Sequence, residues 1–348
     1  MHKIAPMHEV IIALDGMGGD HAPKSVILGA ELALKTLPKH RVHFRIFGQE
    51  RVIRPLLRQA PLLEASCEFI HAKDAVSPDE KPSIAIRSGR ESSMQLAINS
   101  VKNGEAHAMV SSGNTGALMA MAKITLRTLP QISRPAIIGV MPSTKGKMVM
   151  LDLGANVECD ATNLFEFAIM GEAFARIILG IEKPKIGLLN IGSEEMKGKD
   201  SIRLAATMLK ETKLPINFYG YVEANDITQG KVDVVVTDGF SGNVALKAIE
   251  GMAKLYKHFL QQAFSSSLLA KLSYLLVKPA LKKIYKSGDH RNYNGAMFVG
   301  LNGIVVKSHG STDEVGFCNA IKVAYELASA KINEQIAAEL LDINSEVI

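Results

Sequence analysis

A doubly wound α/β/α fold, its sheet mostly parallel with some antiparallel strands, is predicted by three observations. Short apolar runs of strand length alternate along the chain with segments of helical spacing. Several of those runs are apolar almost throughout, as strands covered on both faces are. Glycine-rich turns carrying Asn or Asp follow four of them, after Leu14, Val110, Leu151 and Val236. In open α/β sheets the carboxyl ends of strands are where ligands are held.

The first strand, Val10-Ile11-Ile12-Ala13-Leu14, enters Asp15-Gly16-Met17-Gly18-Gly19-Asp20-His21-Ala22-Pro23 and then a helix over about 24–37. Those glycines lack the G-x-G-x-x-G spacing of a dinucleotide site, so a nicotinamide cofactor has no support. Residues 42–47 read as a second strand, followed by Gly48 and a helix through Leu57, and 68–70 as a short third strand. The stretch 74–83, with Pro78 and Pro82, reads as a loop and ligand-side flap. Arg87 and Arg90 then fall on a helix running to about Asn103, as solvated arginines or as contacts to phosphate or acidic protein.

Residues 106–118 combine a buried strand, a turn of small residues and a helix start, with Leu118, Ala122 and Thr125 at helical spacing. Such a helix points free backbone N–H groups and its positive dipole end at the turn. Gly113 and Gly116 let an anion approach the main chain, and phosphate suits such a site best.

Residues 136–142 and 147–152 read as a hairpin turning around 144–146, which brings antiparallel strands beside the parallel ones. Asp152-Leu153-Gly154-Ala155-Asn156 ends it, and a helix over 162–178 follows. The apolar strand 185–190 opens into a charged, glycine-bearing loop over 191–200. Strands at 217–221 and 232–237 precede Asp238-Gly239-Phe240-Ser241-Gly242-Asn243 and a long helix beginning with Val244, Lys247, Ala248 and Met252. The turn after Val236 thus echoes the turn after Val110, and the recurrence predicts one polar, phosphate-binding cleft. A strand pair over 298–306, a polar turn over 307–313 and a closing helix over 317–341 complete the chain. His309 in that turn is either an acid/base or anion-binding group or a plain hydrogen-bonding histidine.

The 348 residues suffice for one large domain or two intimate ones, and the chain is taken as a single α/β domain over 9–345. No run of about twenty apolar residues occurs, so no segment is expected to span a bilayer. Residues 1–8 are too short and too polar a stretch for a secretory signal. Cys67, Cys159 and Cys318 are widely spaced and lack a ligand pattern, pointing to a reducing compartment and away from bound metal. A net charge of +5 with few aromatics gives no indication of nucleic acid.

Residues 250–288 stand apart as a basic helical arm. From Gly251 to Gly288 there is no acidic residue, while lysines occur at 254, 257, 271, 278, 282, 283 and 286. Leu268, Leu272, Leu275 and Leu276 share one helical face, widened by Leu269 and Val277 and flanked by Lys271 and Lys278. That face suits an anionic membrane surface, a second subunit, or both. Pro279 is expected to break or kink the arm.

The motifs at 15–23, 112–117, 151–156 and 236–243, in this order and spacing, resemble those of the PlsX family of phosphate acyltransferases. The similarity runs from about Val10 to the last helix and includes the 190–200 loop and His309-Gly310-Ser311. Gly16 departs from the usual alanine, and about eight extra residues precede the first strand. The resemblance implies a fold related to isopropylmalate dehydrogenases and phosphotransacetylases. It implies transfer of an acyl group from acyl-carrier protein to inorganic phosphate, with no cofactor and no metal. It also implies a homodimer, cytoplasmic and peripherally associated with the inner face of the membrane, supplying a membrane glycerol-3-phosphate acyltransferase.

For that chemistry phosphate is assigned to the backbone turns 112–116 and 238–243, because both open helices. Asn114, Asn156 and Asn243 are candidate neutral donors to phosphate or oxyanion. Lys197 and Lys199 supply positive charge unless they are ordinary surface lysines. Asp15, Asp20 and His21 position the nucleophile or take a proton. Gly18, Gly19, Ser112, Gly113, Thr115, Gly116, Asp152, Gly154, Glu194, Asp238, Gly239, Ser241, Gly242 and His309 complete the expected lining. No serine or cysteine sits in a nucleophile-elbow motif, which favours direct transfer. The leaving thiol has a pKa near 8.5, so a strong general acid is not required. Rival readings are a phosphotransacetylase on a small acyl-CoA, a metal- and nicotinamide-dependent hydroxyacid dehydrogenase, and a non-catalytic membrane scaffold.

Overall fold

Residues 9–38, 41–287 and 290–345 are described by the computed structural model. Residues 1–8, Gly288 and the side chains of Lys282, Lys283 and Lys286, all named above, lie outside the described ones. The first half runs β1 (Val10–Asp15), α1 (Lys24–Thr36), β2 (Val42–Gly48), α2 (Glu50–Leu57), α3 (Pro61–Glu64), β3 (Cys67–His71), α4 (Pro82–Ser88), α5 (Ser93–Lys102), β4 (Ala108–Ser111) and α6 (Thr115–Leu126). Then come β5 (Ala136–Ser143), β6 (Gly146–Leu151), α7 (Ala161–Leu179), β7 (Lys185–Leu189), α8 (Asp200–Glu211), β8 (Asn217–Val222), α9 (Ala224–Gln229) and β9 (Val234–Val236). The chain closes with α10 (Gly239–Ser265), α11 (Leu268–Ser287), β10 (Ala296–Val299), β11 (Ile304–Lys307), α12 (Glu314–Ser329) and α13 (Ile332–Ser345).

All these strands join one sheet in the order β3-β2-β1-β4-β11-β10-β5-β6-β9-β7-β8. Helices cover both faces, as the alternating side chains of the central strands require. Ile12, Leu14, Val110 and Val306 pack with Ile27, Phe167 and Phe317 in one cluster. The intervening Ala13, Met109 and Val305 pack on the other face with Met94, Ile98 and Leu118. The predicted doubly wound architecture with a local antiparallel insertion is therefore what forms.

Strand direction divides the sheet. β3, β2, β1, β4 and β11 are mutually parallel, and so are β6, β9, β7 and β8. Between them lie three antiparallel pairings, β11 with β10, β10 with β5, and β5 with β6. The two parallel sets therefore run in opposite directions. The glycine turns after β1 and β4 leave the sheet at one edge, and those after β6 and β9 at the other. Instead of one row of turns along a single edge, there are two clusters, a correction to the single cleft expected from their recurrence.

Three helices differ from expectation. The helix expected to carry Arg87 and Arg90 to Asn103 is interrupted: α4 ends at Ser88 and one 3₁₀ turn, Gly89–Glu91, follows. Ser92 then starts α5 afresh by accepting the Gln95 amide. The closing helix is two, α12 and α13, separated where Lys331 takes a left-handed φ of 52°. In the arm, α11 continues past Pro279 and the chain turns at Ser266-Ser267 instead. There the Ser266 hydroxyl donates to the Ala263 carbonyl and the Ser267 hydroxyl accepts from the Ala270 amide, so both helix ends are capped.

Candidate active site

The first cluster sits where β1, β4 and β11 end side by side. Asp15, fully buried, accepts the Ser93 hydroxyl at 2.6 Å, the Ser111 hydroxyl at 2.7 Å and the Met17 amide at 3.3 Å. Burial pushes its carboxyl above the ordinary carboxylate value, and these hydrogen bonds only partly counter it. It therefore organises the turn around it. A Cβ on Gly18 would meet Asp15 Oδ2 at 2.4 Å and the Gly113 nitrogen at 2.7 Å, so the first turn can lie on the second only without a side chain. Gly19, at φ +105°, faces Ser112, and the Asp20 amide donates to the Gly310 carbonyl at 2.9 Å. Asp20, His21 and His309 are exposed at this rim, and the Ser311 hydroxyl lies 3.1 Å from His309 Nδ1.

Asn114 caps α6, its Oδ1 accepting the Ala117 amide at 3.0 Å. Its Nδ2 donates to the Pro78 carbonyl at 2.7 Å and the Glu80 carbonyl at 2.9 Å. Both amide hydrogens are thus committed to the 74–83 flap, and Asn114 is placed as a cap and clamp. Thr115 and Gly116 are exposed on the first turn of α6, beside Pro82 of that flap. Arg87 and Arg90 are exposed just beyond.

Sequence reasoning missed Lys307. It ends β11 opposite Ser111 of β4, and only 8% of it is exposed. Its Nζ donates to the Ser112 carbonyl at 3.4 Å and to the Ser308 carbonyl. Burial lowers its pKa to about 8, against the opposing pull of Asp15 and Asp20. The available signal was position, since Lys307 closes an apolar strand and opens a polar turn, as Asp15 and Ser111 do. Asn294 was missed as well. It accepts the His309 amide and donates to the Ser308 hydroxyl and the Gly316 carbonyl, fixing the 308–316 turn.

The second cluster lies at the ends of β6, β9 and β7. Asp152 is buried, and its Oδ1 accepts the amides of Ile137, Gly154 and Ala155 at 2.9, 3.1 and 3.0 Å. Its Oδ2 accepts the Asn156 amide at 2.7 Å and Asn156 Nδ2 at 2.9 Å. Asn156 Nδ2 also donates to the Pro135 carbonyl at 2.8 Å, so this side chain braces the loop. Asn243, exposed, donates to the Leu153 carbonyl at 3.1 Å. Asp238 caps α10 by accepting the Ser241 amide at 2.7 Å, and the Gly239 amide reaches the Asn156 carbonyl. A Cβ on Gly242 would lie 1.9 Å from the Asp152 carbonyl oxygen, which makes glycine obligatory there.

Lys197 and Lys199 separate. Lys197 pairs with Glu194 at 2.8 Å on the exposed 191–200 loop. Lys199 reaches Asp238 at 3.0 Å and joins that loop to the start of α10. Burial acts to raise the Asp238 carboxyl, but the Ser241 amide and the Lys199 ammonium outweigh it and hold the pKa below its ordinary value. Around this cluster Val157, Ile191, Met196, Phe240 and Val244 stand exposed. The cysteines are poor nucleophiles, because burial pushes the Cys67 thiol up to about 11 and the Cys159 thiol to about 12.

A mixed, mostly parallel sheet with helices on both faces is a class of fold that solved structures share. A phosphotransacetylase from Streptococcus pyogenes superposes with a TM-score of 0.61 at 17% identity, over 92% of this chain and 94% of that one. The EutD phosphotransacetylase of Staphylococcus aureus gives 0.59 at 18% identity, again over 92% and 94%.

Sequence carries the assignment further. Residues 10–335 match the family described as fatty acid synthesis protein. A phosphate acyltransferase of Rhodospirillum centenum is 57% identical over 329 residues, 94% of this chain and 92% of that protein. One of Paramagnetospirillum magneticum is 54% identical over 330 residues, 95% and 93%. The chain belongs to this phosphate acyltransferase family and is an acyltransferase enzyme.

Proposed function

We propose that the protein transfers an acyl group from the thioester of acyl-carrier protein to inorganic phosphate. A phosphate oxygen attacks the carbonyl carbon, the C–S bond breaks, and the products are acyl phosphate and the carrier thiolate, which takes a proton from solvent. The observation that carries this reading is the start of α6 in the turn after β4. It opens on a strand-end turn of the family motif, and its first-turn Thr115 and Gly116 amides lie ahead of any intrahelical acceptor, open to an anion. The raised thiol pKa values of Cys67 and Cys159 support direct attack without an acyl-enzyme.

The arm supports a lipid-linked product. Leu268 and Leu276 are 80% and 85% exposed, beside exposed Lys271 and Lys278. Among the described residues no helix is long and apolar enough to cross a membrane. In keeping with the family resemblance, we propose a cytoplasmic homodimer with its arm at the inner membrane surface. There a membrane glycerol-3-phosphate acyltransferase receives the poorly soluble acyl phosphate.

The test is incubation of purified protein with palmitoyl-acyl-carrier protein and radiolabelled phosphate. Label in a lipid-extractable, hydroxylamine-sensitive product, with matching release of carrier thiol, is the expected outcome. Activity on short acyl-CoA alone points instead to a phosphotransacetylase. No label on any acyl donor sinks the reading.

A further inference from the structure

Where the turn after β4 meets the end of β11, one buried donor has no acceptor and a second has N–H capacity to spare. Ser112 is 2% exposed, and its hydroxyl has no hydrogen-bond partner. Lys307 carries three N–H bonds, and two of them go to the carbonyls of Ser112 and Ser308. For the third, no acceptor stands among the described residues. Both donors belong to one spot, since Lys307 Nζ reaches the main chain of Ser112 itself. Buried polar groups are nearly always paired, so an unpartnered hydroxyl beside an ammonium with an N–H to spare marks a place built for a ligand.

The surroundings favour an oxyanion. The twelve-residue helix α6 begins three residues after Ser112 and directs its free amides toward this turn. Gly18 and Gly19 lie against Gly113 and Ser112 with no side chain between. Asp15 is a buried carboxylate acting on Lys307, and its two oxygens are already occupied by the Ser93 and Ser111 hydroxyls and the Met17 amide. It therefore does not compete for the Lys307 ammonium as an open acceptor would.

We propose that Lys307 and the Ser112 hydroxyl, with the N-terminus of α6, form the seat of the phosphate nucleophile, Lys307 Nζ being its charged anchor. This rests on the acyl-transfer reading. Lysine suits the task because a compact ammonium attracts one phosphate oxygen while the others stay free to attack. An anchor so placed also holds phosphate against the carboxylates of Asp15 and Asp20, which would otherwise repel it.

The charged groups acting on the ammonium are Asp15 and Asp20, from β1 and its turn. β4 and β10 flank β11 with only Ala, Met, Val, Ser and Phe side chains. Glu314, Lys322 and Glu326 of α12, which packs on β11, are not among the groups that shift it. With the ammonium titrating at about 8, phosphate binding weakens as pH rises through that value, because the neutral amine no longer anchors an anion.

The experiment measures the KM for phosphate in Lys307→Met, Lys307→Arg and Ser112→Ala with the carrier thioester saturating. Met fills the buried stem without charge. The phosphate KM is expected to rise by about tenfold or more in Lys307→Met, the scale of a lost charge-assisted hydrogen bond, with the thioester KM little changed. Ser112→Ala is expected to raise it by a smaller factor. The wild-type kcat/KM for phosphate should fall above about pH 8, and Lys307→Arg should lack that limb. A second readout needs no turnover: inorganic phosphate should raise the thermal midpoint of the wild type above that in chloride at equal ionic strength, and not that of Lys307→Met. A folded Lys307→Met with wild-type phosphate KM and wild-type protection overturns the proposal while acyl transfer stands. Protection lost with Lys307, in a protein that makes no acyl phosphate, leaves the anion seat standing and overturns the reaction.

Discussion

Asp15 and Asp152 occupy matching stations in the two oppositely directed halves of the sheet. Each is buried at a strand end, and each gathers the amides or hydroxyls of the glycine turn that follows. Each strand also pairs in parallel with one whose turn opens a helix, β1 with β4 and β6 with β9. Asn114 caps the first of those helices and Asp238 the second. A single device, a carboxylate knot beside a capped helix start, is thus used twice.

The two knots differ in their donors, and substitution should expose the difference. Asp152 accepts mostly backbone amides, which cannot turn away. Asp152→Asn sets an NH₂ group against them and should cost about 3 kcal/mol or more. Asp15 accepts two serine hydroxyls, which can rotate and accept instead. Asp15→Asn should cost about 1–2 kcal/mol. Urea unfolding of both variants checks the order, and equal losses would refute the distinction.

Asp238 predicts an acid limb. Its folded pKa lies below the ordinary 3.8, so its contribution is present above that value and is lost as pH falls through the folded pKa. Asp238→Asn keeps a good cap and loses the Lys199 pair. Because Lys199 is 66% exposed, the neutral-pH cost should stay within about 1 kcal/mol. The gap between wild type and variant should close as pH drops below about 3.8, measured by urea midpoints across that range. A gap that persists in acid would assign the loss to something other than the carboxylate.

Asn114 separates capping from clamping. Asn114→Asp keeps the cap to Ala117 but removes both donations to the flap at Pro78 and Glu80. Asn114→Ala removes all three and should cost about 1 kcal/mol. Both should speed proteolysis within 74–88 and lower turnover with the fold intact. If only the alanine variant loses turnover, the flap contacts are irrelevant and the cap alone matters.

The strands and their turns were legible because fully buried strands such as β1, β4, β7 and β9 leave unbroken apolar runs. The 136–152 hairpin was legible too, yet its consequence was not. Three successive antiparallel pairings, β11 with β10, β10 with β5 and β5 with β6, set β6, β9, β7 and β8 against the first parallel set, and that depends on which strands pair. The organising residues among the motif positions were visible as types only. Whether Asn156 donates outward or inward is settled by Asp152 and Pro135, which fold back onto it. Lys307 was hidden for a similar reason, since its burial comes from pairing with Ser111, remote in sequence.

The arm gives the prediction closest to biology. Leu272 and Leu276 project from α11 into solvent with no covering element among the described residues, on a face also bearing Leu268 and Leu275. Burying a leucine in an apolar phase is worth about 1.5–3 kcal/mol. Leu272→Glu combined with Leu276→Glu should therefore weaken binding to anionic vesicles by about a hundredfold or more. Turnover of soluble carrier thioester should be little affected, because the arm leaves the sheet far along α10 from the strand-end turns. Sedimentation with phosphatidylglycerol vesicles reads the first quantity, and sedimentation velocity without vesicles reads the oligomeric state. Loss of vesicle binding in a species of unchanged mass assigns the leucine face to lipid. A dimer that falls to monomer while vesicle binding persists assigns it to the second subunit.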